Sequence, residues 1–249
     1  SYLTQQGILK KSSLDRYSTR FNIDHKATKW LDLGLKATVG YSKTNFADPE
    51  AGAGRQNWGN PWFTTLLAYP YESPDDWYNV DNPTLITKYY DRETGRLKTV
   101  ASVYAKASIT DWLSVKTNFG LDFMYNRNVS TLHRDHPNAQ QNHGYYGQTS
   151  SELFRYTWTN TINVNKDFAN GHSLNAVAGM EMFQGKWYTS NFTGYDLNSD
   201  MMQSPAGIGD KSGSSLFPPS IGGGRTMSNL MSFFAQASYS IANKYNFSA

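Results

Sequence analysis

Apolar and polar residues alternate along much of the chain, and the alternation continues over unusually long runs. In the clearest run, every second residue from Leu31 to Tyr41 is apolar and the residues between them are polar or glycine. Successive side chains of a β-strand point to opposite faces, so this pattern predicts a strand with one apolar face. The run covers about eleven residues, roughly twice the length of a typical soluble strand, which suits a tilted strand that crosses the apolar band of an outer membrane.

Two short turns with similar sequences each precede such a run. The first is Thr28–Leu31, with the sequence TKWL, and the second is Thr110–Leu113, with the sequence TDWL. An indole joins an apolar ring system to one N–H group, which makes tryptophan typical of the boundary between membrane and water. We therefore predict that Trp30 and Trp112 lie at the membrane interface, on the same rim of the sheet.

The alternating runs predict about eight antiparallel strands, joined by connections of very different length. Strands are expected at about 16–27, 31–45, 99–109, 113–125, 154–164, 173–187 and 233–241, with an eighth that begins near 245, and residues 1–6 fit the end of an earlier strand. Long loops are expected at about 46–98, 126–151 and 188–229. Because these loops alternate with short turns, the pattern favours a transmembrane β-barrel segment with short periplasmic turns and long extracellular loops.

The composition agrees with an all-β membrane protein. Charged residues make up 17% of the 249 residues and aromatic residues 15%, with 17 tyrosines, so residues that favour strands are abundant. The mean hydropathy of -0.61 does not argue against a barrel, because a barrel exposes only alternate residues to lipid. No run approaches the roughly eighteen consecutive apolar residues of a membrane-spanning helix, which excludes a helical inner-membrane protein.

Charge and cysteine content exclude other classes. The formal net charge is +3 and the basic residues are scattered, so no nucleic-acid partner is expected. The absence of cysteine excludes disulfides and thiolate metal sites, and it fits passage through an oxidising periplasm. Because the chain starts at Ser1 without a signal peptide and ends at Ala249 within a predicted strand, we expect it to be part of a longer protein.

Five segments within or beside the predicted strands carry a family resemblance: Asp15–Asp24, Lys29–Gly34, Thr157–Thr161, Gly171–Asn175 and Ala178–Glu181. In these segments the chain resembles the SusC/RagA class of TonB-dependent outer-membrane transporters. The resemblance implies a barrel of about 22 strands, of which this chain would be a C-terminal part, and a plug domain outside it. It also implies import of oligosaccharides or peptides, driven through TonB, with a SusD-like surface lipoprotein as partner and the lipid of the outer membrane as surroundings.

The first long loop is rich in aromatic residues that are candidate substrate contacts. Aromatic faces can stack on the apolar faces of sugar rings, which suits a glycan importer. Alternatively, these side chains form a small core of the loop itself or pack against the lipoprotein. The candidates are Trp58, Trp62, Tyr69, Tyr71, Trp77 and Tyr78.

Polar positions within the strands predict a second group of site residues, which would face the lumen of the barrel. They would contact the substrate or the plug, or would only hydrate the lumen and form ion pairs. The candidates are Lys36, Tyr104, Lys106, Arg155 and Glu181.

No motif supports catalysis. His133, His136 and His143 lie near Asp135 and are possible metal ligands, but solvated side chains are the simpler interpretation in a polar loop. The run Gly222–Gly224 lacks the Lys-Ser/Thr pair of a phosphate-binding loop, and no Ser/His/Asp arrangement is recognisable. We therefore expect no enzymatic activity, no cofactor and no metal site.

Two other functions remain open from the sequence. One is a secreted all-β carbohydrate-binding domain, in which the alternating strands would build a two-layer sandwich, and the other is an all-β glycoside hydrolase. The exposure of the apolar face distinguishes a sandwich from a barrel. In a sandwich, Leu33, Leu35, Val39, Leu121 and Phe123 would pack against a second sheet, whereas in a barrel they would form an outer band.

Overall fold

The alternating runs form β-strands that all belong to one antiparallel sheet. The computed structural model describes residues 1–46, 83–136, 139, 141–198, 204–209, 217–242 and 244–249. Within these residues the sheet has nine strands, and each pairs with the next along the chain. They are β1 (Tyr2–Gln6), β2 (Ser13–Lys26), β3 (Leu31–Phe46), β4 (Tyr90–Ser108), β5 (Leu113–Leu132), β6 (Tyr145–Phe168), β7 (His172–Tyr195), β8 (Ser220–Ile241) and β9 (Tyr245–Ser248).

Among the described residues, helical structure is confined to short pieces. The α-helix α1 (Pro83–Tyr89) leads into β4, and single 3-10 turns cover Ala169–Gly171 and Pro205–Gly207. Within the described ranges, none of the helices has the length and apolar character needed to cross a membrane.

The predicted all-β antiparallel fold is confirmed, and the strand count exceeds the predicted eight by one. The additional strand is β1, which lies within residues 1–6, the segment that was expected to be the end of an earlier strand. The sheet is not closed into a barrel. β1 pairs with residues 13–17 of β2, and β9 pairs with residues 238–241 of β8.

The strands continue further than the alternation predicted, so the predicted loop boundaries are wrong at their ends. The connections run over 47–89, 133–144 and 196–219, in place of 46–98, 126–151 and 188–229. Backbone pairing continues where no apolar face remains, because ladder hydrogen bonds do not require apolar side chains. Polar side chains also pair across these extensions: Lys43 forms an ion pair with Glu93 at 2.8 Å, and Arg96 Nε donates to Asn126 Oδ1 at 2.9 Å.

The connections alternate in length between the two ends of the sheet. One end, termed the short-turn end, carries residues 27–30, 109–112, 169–171 and 242–244. The opposite end, termed the long-connection end, carries the three long connections and also the short link at 7–12. The predicted alternation therefore holds from β2 onwards, and the β1–β2 link is a short exception at the long-connection end.

Trp30 and Trp112 occupy equivalent places in two turns at the short-turn end. In each turn, the leucine carbonyl accepts hydrogen bonds from the threonine N–H and from the N–H before it, at 2.9–3.3 Å. Each tryptophan carbonyl then accepts a hydrogen bond from the strand beyond, from Ser108 to Trp30 at 2.7 Å and from Asn165 to Trp112 at 2.8 Å. The sequence similarity of the two turns therefore corresponds to the same backbone structure.

The pairing register collects the apolar residues of neighbouring strands on one face of the sheet. Ile23, Leu35, Val103, Phe119 and Trp158 are successive cross-strand partners from β2 to β6. We term this side the apolar face and the other side the polar face. Leu35 is 38% exposed, Val103 52% and Trp158 42%.

No second sheet packs on the apolar face within the described residues. Leu33 and Val39 are exposed, and Leu121 and Phe123 are partly exposed. The described residues therefore do not form the two-layer sandwich considered as the alternative.

Fully buried side chains lie at the long-connection end. The buried clusters are Tyr90, Leu132 and Ala139 with Tyr145 against them, and Tyr146, Leu197 and Ile208 with Val129 and Phe192 against them. Backbone hydrogen bonds tie the second connection to the third, since the N–H of Asp196 donates to Asn142 O at 2.9 Å and the N–H of Leu197 to His143 O at 3.0 Å. The described parts of these two connections therefore pack together at the end of the sheet.

A glycine on the polar face makes room for an aromatic ring from the next strand. Gly34 in β3 is directly opposite Tyr104 in β4, and a Cβ atom at Gly34 would overlap the tyrosine ring. The ring passes over Gly34, and its hydroxyl donates to Asp24 Oδ1 on β2 at 2.8 Å. The absence of a side chain at position 34 thus allows one tyrosine to join three strands.

We expect Gly34→Ala to destabilise the complete protein by about 1–2 kcal/mol, because the new methyl group displaces the Tyr104 ring and breaks its hydrogen bond to Asp24. The measurement is the free energy of unfolding of the purified protein in detergent. Gly40→Ala is the matched control on the same face of β3, since a Cβ there first meets Tyr17 O at 3.7 Å. Equal stability of the two variants would contradict this packing, and the cost of Gly34→Ala should disappear when Tyr104 is also replaced by alanine.

Candidate functional site

All five residues that were predicted to face a lumen lie on the polar face. Tyr104 is opposite Asn118, Asn118 is opposite Thr159, and Thr159 is opposite Glu181, so Tyr104 and Glu181 share one row across β4–β7. The remaining candidates lie on the same face by the same register: Lys36, Lys106 and Arg155. The structure therefore places the candidates on a single surface, and their contact with a substrate stays a prediction.

The side chains of this row are held by polar contacts. Besides its bond to Asp24, the Tyr104 ring lies 5.1 Å from Lys116 Nζ, measured to the ring centroid. Glu181 Oε2 accepts a hydrogen bond from Thr159 Oγ1 at 3.0 Å. Hydroxyl groups that donate to carboxylates, and an ammonium group over an aromatic ring, therefore give the polar face a charged and polar surface.

The middle of the polar face carries a buried carboxylate oxygen that has no hydrogen-bond partner among the described residues. Asp122 is directly opposite Arg155 across β5 and β6, yet Asp122 Oδ1 is buried and has no partner within the described part of the chain. Arg155 is exposed. A buried carboxylate oxygen is costly when it is unsatisfied, so this position offers an acceptor to a donor from outside the described residues.

A row of tyrosines marks the apolar face towards the long-connection end. Tyr17 is opposite Tyr41, and the same row continues through Leu97 to Tyr125 and through Glu152 to Tyr188. The tyrosines of this row are exposed. Tyrosine combines an apolar ring with a hydroxyl and is typical of membrane interfaces.

The two tryptophans of the short-turn end are exposed as well. Trp30 is 54% exposed and Trp112 39%, and Lys166 Nζ lies 4.7 Å from the Trp112 ring centroid. Their role at a membrane interface stays a prediction, and the tyrosine row adds a second aromatic boundary that the sequence analysis did not single out.

The three histidines of the second long loop are not brought together. His133 lies 3.3 Å from Asp135 Oδ2 and His143 lies 3.0 Å from Asp196 Oδ1, both measured from Nδ1. His136 is 4% exposed, so the interpretation of all three as solvated side chains is wrong for His136. Within the described residues, no group of three or more histidine, aspartate and glutamate side chains could hold a metal ion.

The loop aromatics predicted as substrate contacts lie outside the described residues, and they stay a prediction. They are Trp58, Trp62, Tyr69, Tyr71, Trp77 and Tyr78.

Asp122 and Arg127 were not among the predicted site residues. Both occupy ordinary positions in the alternating pattern of β5, so periodicity alone does not distinguish them. They stand out through contacts with β6: Asp122 is directly opposite Arg155, and Arg127 donates a hydrogen bond to Gln148. A prediction of the β5–β6 register would have been the signal that identified them.

Neither the family models nor the curated proteins include a match to this sequence. The fold is nevertheless similar to chains of solved structures of a RagAB peptide importer. The similarity to the structure in the "open-open" state has a TM-score of 0.73 at 18% identity and covers 95% of this chain and 27% of that one. For the "closed-closed" state the TM-score is 0.78 at 19% identity, with 99% and 28% covered.

A further structure, described as the RagAB peptide transporter, gives a TM-score of 0.73 at 19% identity, with 97% of this chain and 28% of that chain covered. This chain thus spans just over a quarter of the length of these neighbours. At such low identity the similarity concerns the fold. It shows that this open antiparallel sheet has the fold of one segment of a larger β-barrel.

Proposed function

We propose that the complete protein is an outer-membrane transporter that imports nutrient oligomers through a β-barrel, and that this chain forms part of the barrel wall. The observation that carries the proposal is a single sheet with two chemically opposite faces. An exposed apolar face suits lipid, and a charged face suits a water-filled lumen.

The spacing of the two aromatic boundaries supports a membrane location. β3 advances eleven residues from Trp30 to Tyr41, which is about 36 Å at roughly 3.3 Å per residue. A strand tilted by about 45° would then span about 25 Å along the membrane normal, close to the height of the apolar band of outer-membrane barrels.

The similarity to a RagAB peptide importer supports import and makes peptides the first substrate class to test, with oligosaccharides as the second. By analogy with SusC/RagA transporters, a SusD-like lipoprotein would cover the long-connection end, and TonB would act on a plug domain elsewhere in the complete protein. The surface formed by the described residues 139, 141–144, 196–198 and 204–209 of the second and third connections would be a suitable docking surface for such a lipoprotein. The mechanism requires no bond chemistry, so we propose no enzymatic activity.

We expect Val103→Lys to destabilise the protein in the membrane by about 2–4 kcal/mol, because the ammonium group would be placed in lipid. Less protein should then reach the outer membrane, measured in membrane fractions of cells that produce the complete protein. Val100→Lys is the matched control, because Val100 belongs to the same strand and is similarly exposed, at 43% against 52%, but lies on the polar face. If both variants accumulate equally in the outer membrane, the apolar face does not contact lipid.

A large side chain on the polar face should obstruct transport. Gly120 lies on this face of β5. A Cβ atom at Gly120 would first meet Thr157 O at 3.7 Å, so a new side chain has room to project from the polar face into the proposed lumen. We expect Gly120→Trp to lower the uptake of labelled peptides by cells with functional TonB, at an unchanged amount of protein in the outer membrane.

The matched control is Leu121→Trp, which projects the same side chain from the apolar face of the same strand. Its uptake should equal that of the unmodified protein. Uptake that is independent of TonB would contradict energised import, and equal uptake by both tryptophan variants would contradict a transport path along the polar face.

A further inference from the structure

A groove lies on the apolar side of the sheet, beyond the tyrosine row and at the long-connection end. It has a volume of about 750 Å³, and the β1–β2 link at 7–12 covers it while β3, β4 and β5 form its floor. The lining residues that matter for its chemistry are Ile8, Lys10, Lys11, Asp91, Glu93 and Arg127.

The register gives the height of the groove relative to the apolar band. Arg127 is opposite Gly95, and Gly95 is opposite Lys43, in the row that lies two residues beyond Tyr41 and Tyr125. Two residues of a strand correspond to about 7 Å along the strand, or about 5 Å along the membrane normal at a tilt of about 45°. If the tyrosine row marks the edge of the hydrocarbon, the groove lies at the level of the lipid headgroups.

The acidic residues of the groove are neutralised by lysines. Lys11 Nζ lies 2.7 Å from Asp91 Oδ1, and Lys43 Nζ lies 2.8 Å from Glu93 Oε2. These ion pairs leave little negative charge to repel an anion.

Two basic residues of the groove, Arg127 and Lys10, have no acidic partner among the described residues. Arg127 donates only to neutral acceptors, with its Nε and Nη2 atoms 3.2 and 3.1 Å from Gln148 Oε1 and its Nη2 3.4 Å from the Tyr146 hydroxyl. Lys10 is exposed and forms no ion pair with any described residue. The groove therefore carries uncompensated positive charge.

An apolar side chain accompanies this charge. Ile8 lines the groove and is 92% exposed, although a free isoleucine side chain gains from burial in an apolar surrounding. A small inorganic anion would satisfy the charge and leave Ile8 in water. A ligand that combines anionic oxygens with hydrocarbon would satisfy both features.

We propose that this groove binds the phosphorylated headgroup of a lipid in the outer leaflet. Arg127 and Lys10 contact phosphate oxygens through charge-assisted hydrogen bonds, and Ile8 contacts the upper part of an acyl chain. The proposal rests on the membrane location in the proposed function, and it adds a specific lipid site outside the transport path.

The test uses the complete protein, purified in an uncharged detergent and titrated with lipid A, with bound lipid measured by native mass spectrometry. We expect Arg127→Gln and Lys10→Gln each to weaken lipid A binding about tenfold, as the loss of one charge-assisted contact implies. Lys98→Gln is the matched control, because Lys98 lies on the polar face of β4, three residues from the Gly95 that is opposite Arg127, and it should bind like the unmodified protein. Unchanged binding by both groove variants would overturn the proposal.

Two further probes separate a lipid site from a general anion site. Dephosphorylated lipid A should bind weakly, and inorganic phosphate should displace lipid A only at far higher concentration. Displacement at equal concentration would overturn a lipid as the ligand. Lys10→Gln keeps the test decisive if Arg127→Gln perturbs folding, because the exposed Lys10 side chain forms no hydrogen bond or ion pair with any described residue.

This outcome is distinguishable from the outcome for the proposed function. A protein that reaches the outer membrane and imports peptides, but binds lipid A equally with and without Arg127 and Lys10, contradicts only the lipid site. A protein that is absent from the outer membrane contradicts the proposed function itself.

Discussion

The pairing register between neighbouring strands is the constraint on which the other features of this chain depend. A shift of one residue in any pair would move every side chain of a strand to the opposite face. With the observed register, Leu35 lies opposite Val103 on one face while Gly34 lies opposite Tyr104 on the other. Each strand thus contributes one set of side chains to each surface. The sheet can separate lipid from water in this way without a hydrophobic core between two layers.

Within the described residues, the clusters of buried apolar side chains lie at the end of the sheet, where the chain leaves this two-faced arrangement. Tyr146 and Leu197 have 0% exposure at the long-connection end, where Ile208 occupies the space next to Gly194. These contacts hold the connections against the strand ends, because buried apolar area stabilises packed segments wherever water is excluded. The long connections are therefore anchored by the same physical effect that forms the interior of a soluble domain, and the strands below them are not.

The sequence predicts the strands and their faces well because a period of two needs no tertiary information. The run from Leu31 to Tyr41 is an example, and the lumen candidates such as Tyr104 follow from the same parity. The extensions of β4 and β5 were not predictable in this way, since backbone pairing and polar contacts such as Lys43 with Glu93 hold them. The sequence also does not predict the pairing register of two strands that are joined by a long connection. Asp122 opposite Arg155 depends on how residues 133–144 close, and their packing also buries His136.

The exposed fraction of a residue does not by itself show on which face it lies. Its cross-strand neighbours distinguish the two faces. Val100 and Val103 have similar exposed fractions, 43% and 52%, but Val100 lies opposite Thr38 and Asp122, whereas Val103 lies opposite Leu35 and Phe119. An isolated exposed valine is ordinary on any protein surface, whereas a continuous apolar row is unfavourable in water. The continuous apolar row, and not any single exposed residue, therefore favours an apolar surrounding on this face of the sheet. With the proposed membrane location, charged groups at the end of the apolar face, such as Arg127, would lie where that medium changes from hydrocarbon to headgroups.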